Sequence, residues 1–416
     1  MSPLLESVQN FTFLYPFVMA FVWVLGGILY YLRRERELAA PTADPGLPET
    51  PSVSVLVPCY NEEALVAETI GELAKLRYPN LEIIAINDGS RDQTGAKLED
   101  LRAVYPQLRV IHLAENRGKA LALRAGALTA CSEFLVCIDG DAILDPHSVH
   151  WLMREFLLRG NVGAVTGNPR IRNRATLLGR LQVGEFSSIV GLIKRAQMSY
   201  GRVFTVSGVV CAFRKRALAD VGYWDPGQQT EDIDITWALQ TNGWRVRYAP
   251  NALCWILMPE TLKGLWRQRV RWAVGGAQVF YKYIPRMFRR GSLAMWGILL
   301  DYIFSVAWAL SFGLLVALWV LQFSTGPEID FNLPGPLPTL AGLLLSVVFL
   351  VQSGVSLLID RRVEPRIFRH FIWLIWYPLA YWMMSAATSC VGFVKVTFGA
   401  KRRAGTWISP DRGIGP

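Results

Sequence analysis

The chain has 416 residues, 52% of them hydrophobic, with 43 Lys and Arg against 33 Asp and Glu for a formal net charge of +10. That apolar share exceeds an ordinary soluble domain and excludes a disordered chain, while the length allows one large domain plus several membrane spans. The positive balance fits basic residues beside an anionic leaflet; no long basic tail or aromatic platform points to nucleic acid, and six cysteines without a CxxC pair argue for reduced thiols rather than a zinc ribbon or disulfide framework.

Residues 1–36 read as an N-terminal anchor. Phe11 to Leu32 runs about 22 residues without a charge, long enough to cross a hydrocarbon core, and shows neither a basic lead-in nor a small-residue cleavage site. Arg33, Arg34 and Arg36 follow it, which places the N-terminus outside and the next segment in the cytosol. Residues 37–51 contain four prolines and read as a linker.

A cytosolic domain is expected over residues 52–260. Ser52–Pro58, Leu81–Asn87, Leu108–Leu113 and Glu133–Asp139 are short apolar runs that read as buried strands, alternating with helical patterns at Glu62–Leu76, Arg91–Tyr105 and Arg117–Ala130. This is a βαβ series, hence an α/β domain with a mostly parallel sheet and helices on both faces. Ligands in such sheets bind beyond the carboxyl ends of the strands, where Tyr60, Asn61 and Glu62, then Asp88, then Asp139 and Asp141 fall.

Asp139-Gly140-Asp141 can offer two hard oxygen ligands to Mg²⁺ or Mn²⁺; its plain alternative is a solvated turn. Asp88 can accept from a base or ribose, or simply cap the following helix. Thr230-Glu231-Asp232 opens a helix reaching about Thr241, where acidic residues suit the dipole and Thr230 suits the N-cap, yet a carboxylate facing a cleft there can also act as a general base. Lys119 begins a helix, positioned either to touch phosphate or to sit solvated on the surface. His112, His147, His150 and His370 show no metal-ligand spacing and receive no role.

Residues 261–291 form a basic amphipathic stretch carrying Gln268-Arg269-Val270-Arg271-Trp272. It reads as interfacial helix, with Trp266, Trp272 and Phe280 toward lipid, and also as a ligand surface, because Gln268 and Arg271 share a face and Arg suits a diphosphate. Residues 292–416 form a C-terminal membrane region with a basic tail. Spans are expected at Leu293–Phe323, Leu337–Ile359 and Phe371–Val394, the last open to a break at Pro378. The loop Ser324–Pro336, without Lys or Arg, reads as external, and Asp360–His370, with four arginines, as cytosolic. A full crossing by Phe371–Val394 would put Lys401, Arg402 and Arg403 outside, against the charge rule, so the side of the C-terminus stays open.

Taken in order, Pro58-Cys59-Tyr60-Asn61-Glu62-Glu63, Asn87-Asp88-Gly89-Ser90, Asp139-Gly140-Asp141, Thr230-Glu231-Asp232 and Gln268-x-x-Arg271-Trp272 resemble the processive family 2 glycosyltransferases over about residues 50–290. The strings from Thr230 to Trp237 and from Trp407 to Gly413 look like the subgroup that makes poly-β-1,6-N-acetyl-D-glucosamine in bacterial biofilms. The resemblance implies a GT-A domain using UDP-N-acetylglucosamine and a divalent cation, Mg²⁺ or Mn²⁺, on the cytosolic face of an inner membrane. It implies Asp232 as general base; Tyr60, Glu62, Asp88, Lys119, Asp139, Gln268 and Arg271 around the donor; Asp139 and Asp141 at the metal; and Glu231 and Trp272 toward the acceptor. It also implies a growing polysaccharide that passes into the bilayer and a small membrane subunit that completes the path. A cellulose-, chitin- or hyaluronan-type synthase and a catalytically silent membrane scaffold are the alternatives. A dinucleotide-dependent dehydrogenase is disfavoured because no GxGxxG follows the first strand.

Overall fold

The structure is a computed structural model that describes residues 3–325, 339–377 and 382–399. Its centre is one eight-stranded sheet: β1 Val53–Cys59, β2 Leu81–Asp88, β3 Leu108–Leu113, β4 Phe134–Ile138, β5 Ile143–Leu144, β6 Val162–Ile171, β7 Val210–Arg214 and β8 Arg245–Ile256, in the order β3-β2-β1-β4-β7-β6-β8-β5. The half β3-β2-β1-β4 is parallel. β7 then runs antiparallel between β4 and β6, a reversal absent from the sequence reading, which stopped at four strands.

The expected strand positions hold because both faces of the parallel half are covered. Every residue of β1 and β4 is buried, and covering each Val, Leu or Ile contributes about 1.5–3 kcal/mol. The chain winds β1-β2-β3 toward one edge and then returns to place β4 on the other side of β1. The crevice between the ends of β1 and β4 is therefore the switch point of the sheet, and Tyr60 and Asp139 stand at its two lips.

Among the described residues, three helices have the length and composition to cross a membrane: Pro3–Glu35, Ser292–Thr325 and Leu340–Asp360. They match three of the four expected spans. The fourth, Phe371–Val394, is not one continuous crossing. Ile367–Trp376 forms a tight 3₁₀ segment, and a separate α-helix covers Met383–Phe398. The first piece buries Ile367, His370 and Leu374 and lies along the helix Leu177–Glu185, with Arg180 over the Trp373 ring at 5.0 Å and the Leu374 side chain filling the space above Gly184. Packing against the domain thus holds it at the domain surface. Pro378, most of the loop Ser324–Pro336, the basic tail and the string Trp407–Gly413 lie outside the described residues.

A buried ion cluster ties the spans to the sheet. Arg195 reaches Glu35, at the end of the first span, at 2.6 Å, and Asp360, at the end of the third, at 2.9 Å. Arg170 of β6 meets Asp360 at 2.7 Å, and Ser187 donates to the same carboxylate at 2.6 Å. Arg195, Glu35 and Asp360 are fully buried, so the attraction acts in a poorly screened interior.

Candidate active site

The motif after β1 and the motif after β2 are knitted together before any ligand is considered. Asn61, in the left-handed region at φ 54°, donates its backbone N–H to Ser90 Oγ at 3.0 Å and accepts from the Arg91 N–H at 2.9 Å. Glu63 accepts from the Gln93 N–H at 2.9 Å. Gly89 has φ +64°, and a Cβ there would meet the Glu115 backbone at 2.5 Å, so the close approach of the loop after β3 demands glycine. Glu62 is buried beneath the DGD turn, since a Cβ on Gly140 would stand 3.2 Å from Glu62 Cγ.

Asp88 is fully buried and both of its oxygens are engaged: Oδ1 accepts from the Arg117 N–H at 3.0 Å and Oδ2 from the Gly118 N–H at 2.9 Å. Burial raises its pKa, and those two N–H bonds oppose the rise. This corrects the helix-cap reading of Asp88. It neither reaches into the cavity described below nor caps the helix Thr94–Val104; it fixes the turn that launches the helix Lys119–Thr129.

Lys119 is the hub. Its ammonium lies 2.5 Å from Asp139 Oδ1 and 3.1 Å from Glu231 Oε1, and donates to the Gly208 carbonyl at 3.0 Å. Gly208 in turn donates its N–H to Asp232 Oδ2 at 3.3 Å. One chain of contacts therefore joins the end of β4, the start of the Lys119 helix, the loop before β7 and the start of the helix Glu231–Thr241. The surface-solvated alternative for Lys119 does not hold, because three acceptors surround it.

Charge crowding sets the titration of this group. Asp232 is pushed up to about 6, by burial first and by the neighbouring Glu231 carboxylate second, with Lys119 pulling the other way. Glu231 moves below its ordinary value: burial opposes ionisation, but Lys119 and Arg271 outweigh it. The environments of these two adjacent carboxyls thus push their titrations apart. Thr230 occupies the N-cap position, but its hydroxyl makes no capping bond. It points instead at Gly275, where a Cβ would come within 2.1 Å of Thr230 Oγ1.

That contact brings in the helix Leu262–Tyr283. Lys282 bridges Asp225 at 2.8 Å and Asp234 at 2.7 Å, clamping this helix to the acidic one. Arg269 faces inward to Glu185 at 2.8 Å and stacks on Trp272 at 4.2 Å, which orients the indole. Gln268, Arg271 and Trp272 line the cavity.

The cavity holds about 620 Å³ and is lined by Lys119, Asp139, Asp141, Glu231, Asp232, Gln268, Arg271 and Trp272. It continues between the spans, past Trp23, Asp301, Trp308 and Gln352. Of the expected site residues, Tyr60, Glu62 and Asp88 are the ones not on its wall. Gln268 Oε1 is shielded and has no hydrogen-bond partner among the described residues, which leaves an acceptor for a ligand hydroxyl. Asp139 and Asp141, both on the cavity wall, offer the hard oxygen donors that a divalent cation takes, and Lys119 engages Asp139.

Sequence reasoning missed Lys194. It is buried on the cavity wall, donates to Thr166 Oγ1 at 3.1 Å and Ser207 Oγ at 2.8 Å, and is lowered to about 7 by burial. Two adjacent cations in the otherwise apolar run Gly191-Leu192-Ile193-Lys194-Arg195 were the available signal. It also missed Asp44, His147 and His150, whose ligand atoms lie within 4.8 Å of one another, because Asp44 is remote in sequence from the two histidines.

The sequence pattern of the family described as "Glycosyltransferase like family 2" matches residues 50–275, the stretch that carries Asp139, Asp141, Glu231 and Asp232. The chain belongs to that family. Family 2 relatives match almost end to end: a poly-β-1,6-N-acetyl-D-glucosamine synthase of Staphylococcus epidermidis is 37% identical, with 98% of each chain covered. A protein of the same name from Staphylococcus aureus is 37% identical, covering 97% of this chain and 98% of its own. Among solved structures, a mannosyltransferase from Pyrobaculum calidifontis in complex with GDP-Man and Mn²⁺ is 20% identical. It has a TM-score of 0.63 and covers 95% of this chain and 99% of its own, a likeness of fold. The GT-A architecture of a family 2 glycosyltransferase thus agrees with the sheet, its switch point and the cavity above it.

Proposed function

We propose that this glycosyltransferase polymerises N-acetylglucosamine from UDP-N-acetylglucosamine into a β-1,6-linked polysaccharide. It works from the cytosolic face of a bacterial inner membrane, and polymer leaves between the spans. The observation that carries the reading is the single cavity: acidic groups from β4 and from the acidic helix, and Gln268, Arg271 and Trp272 from a third element, share one wall that opens toward the membrane helices. The names of the staphylococcal relatives support the sugar and the linkage.

The reaction is an inverting displacement. The acceptor hydroxyl attacks the anomeric carbon, Asp232 takes its proton, and the bond to UDP breaks on the opposite face with the electron pair leaving on the diphosphate. Glu231, held ionised by Lys119 and Arg271, keeps Asp232 basic and faces the acceptor. Arg271 offers its planar fork to the diphosphate, and Gln268 accepts from a donor hydroxyl. Trp272, oriented by Arg269, presents an apolar face to the acceptor sugar. Tyr60 and Glu62 stand on the nucleotide side of the switch point, and Asp88 serves that side by holding the Arg117–Gly118 turn. A divalent cation, Mg²⁺ or Mn²⁺, held by Asp141 and Asp139, would neutralise charge on the diphosphate.

The domain limits 1–36, 37–51, 52–260, 261–291 and 292–416 belong to this proposal, as does a small membrane subunit that would complete a path with few spans of its own. Membrane vesicles given UDP-N-acetylglucosamine test the activity. Polymer cleaved by a β-1,6-specific glycosidase supports it; absence of polymer, or polymer resistant to that enzyme, overturns it.

A further inference from the structure

We propose that Asp44, His147 and His150 form a transition-metal site of the zinc class that fastens the linker after the first span to the catalytic domain. The three side chains each bring one ligand atom within 4.8 Å of the others, and His150 Nε2 stands 3.9 Å from Asp44 Oδ2. Nitrogen and oxygen ligands on tetrahedral zinc sit about 2.0–2.2 Å from the metal, hence roughly 3.3–3.6 Å from one another. Small side-chain rotations close that difference. The histidines are one helical turn apart at the start of the helix Ser148–Leu157, so they present on one side of it.

The surroundings favour ligation. His147 is 7% and His150 4% exposed, and the Nδ1 of each is buried without a hydrogen-bond partner among the described residues. Each ring therefore has binding capacity that the protein does not use. Asp44 is exposed, and its other oxygen accepts from the Gly46 N–H at 2.9 Å, which aims the carboxylate as outer-shell partners do.

The linker is already laid in place. Trp151, next to His150, donates to the Pro41 carbonyl at 3.0 Å, and Asn251 donates to the Ala39 carbonyl at 2.9 Å. A cation here would complete a docked contact rather than create one. Two imidazoles and a carboxylate select Zn²⁺, Co²⁺ or Ni²⁺ over Mg²⁺, so this site is chemically separate from the all-oxygen pair Asp139 and Asp141. It is independent of which sugar the enzyme transfers.

The test is Co²⁺ titration of the chelator-stripped, full-length protein in detergent, read by visible absorption and by metal content, with Zn²⁺ displacement. One equivalent should bind with a tetrahedral Co²⁺ band that Zn²⁺ removes. Asp141→Asn should keep that band. His150→Gln should abolish it, and Asp44→Asn, which retains the Gly46 contact and lies on an exposed linker, should weaken Co²⁺ binding at least tenfold. Zn²⁺ should raise the melting temperature of the wild type and of Asp141→Asn, but not of the other two. If His150→Gln does not fold, Asp44→Asn decides. Equal binding by wild type and Asp44→Asn, or a wild type that takes up no Co²⁺ beyond what Asp141→Asn loses, overturns the proposal.

Discussion

Asp232→Asn is the most direct perturbation of the site. The amide keeps the size of the carboxylate and the Gly208 contact, but it cannot accept the proton. Loss of a positioned base costs roughly 10²–10⁴-fold in turnover, with donor KM held within about twofold. The wild-type carboxyl, at about 6, is some nine-tenths ionised at pH 7 and about one-tenth ionised at pH 5. Turnover should therefore fall about tenfold between those two values. The neighbours give the sign: Glu231→Gln removes a negative charge and should move this acid limb to lower pH, whereas Lys119→Met removes a cation and should move it higher. Stability runs the other way from activity. Because folding raises the pKa of Asp232, its ionisation opposes folding as pH rises through about 6, so Asp232→Asn should melt higher than wild type at pH 7 to 8. The gain should shrink as pH falls from about 6 toward 3.8 and vanish only below that, where both states hold the proton. UDP release by purified protein in nanodiscs, measured from pH 5 to 8 at constant ionic strength, reads the activity. A flat profile, more than about one-hundredth of wild-type turnover in Asp232→Asn, or limbs that shift in the same direction in the two neighbour variants would refute the reasoning.

Gly275→Ala places a methyl 2.1 Å from Thr230 Oγ1 and should cost about 1–3 kcal/mol by overpacking, lowering turnover as the acidic helix is pushed from Arg271; thermal unfolding and UDP release check both. Arg271→Ala should weaken donor binding about 10–100-fold, the value of a charge-assisted contact of roughly 1.5–3 kcal/mol, and Arg271→Lys should recover only part of it; UDP competition binding reads this. Asp360→Ala leaves Arg170 and Arg195 buried without their shared carboxylate and should cost about 3–5 kcal/mol, seen as an earlier unfolding transition.

The parallel half of the fold was legible because β1 and β4 are continuous apolar runs, and β2 and β3 are short runs rich in Ile, Leu and Val, each followed by a turn or loop. β7 and β8 escaped notice because their pairings, β7 antiparallel between β4 and β6 and β8 parallel to β6, are set in tertiary space, which local periodicity does not encode. At the site, Asp139, Asp141, Glu231, Asp232, Gln268, Arg271 and Trp272 were found by residue type and position in an element. Asp88 was placed correctly at a strand end, yet nothing in its local sequence says that the Arg117–Gly118 turn folds back onto it. Lys194 shows the same limit: its surroundings come from β6 and the loop before β7, so its character is decided in space.

The ion cluster that joins Arg195, Glu35, Asp360 and Arg170 bears on how a product could leave. Two span ends and one sheet strand meet at a buried charged knot, so rocking the domain against the bilayer would mean parting buried opposite charges. In a machine built this way the scaffold stays still and the saccharide is the moving part. Each added sugar must advance by sliding along a fixed wall, and the stride is the length of the residue just joined.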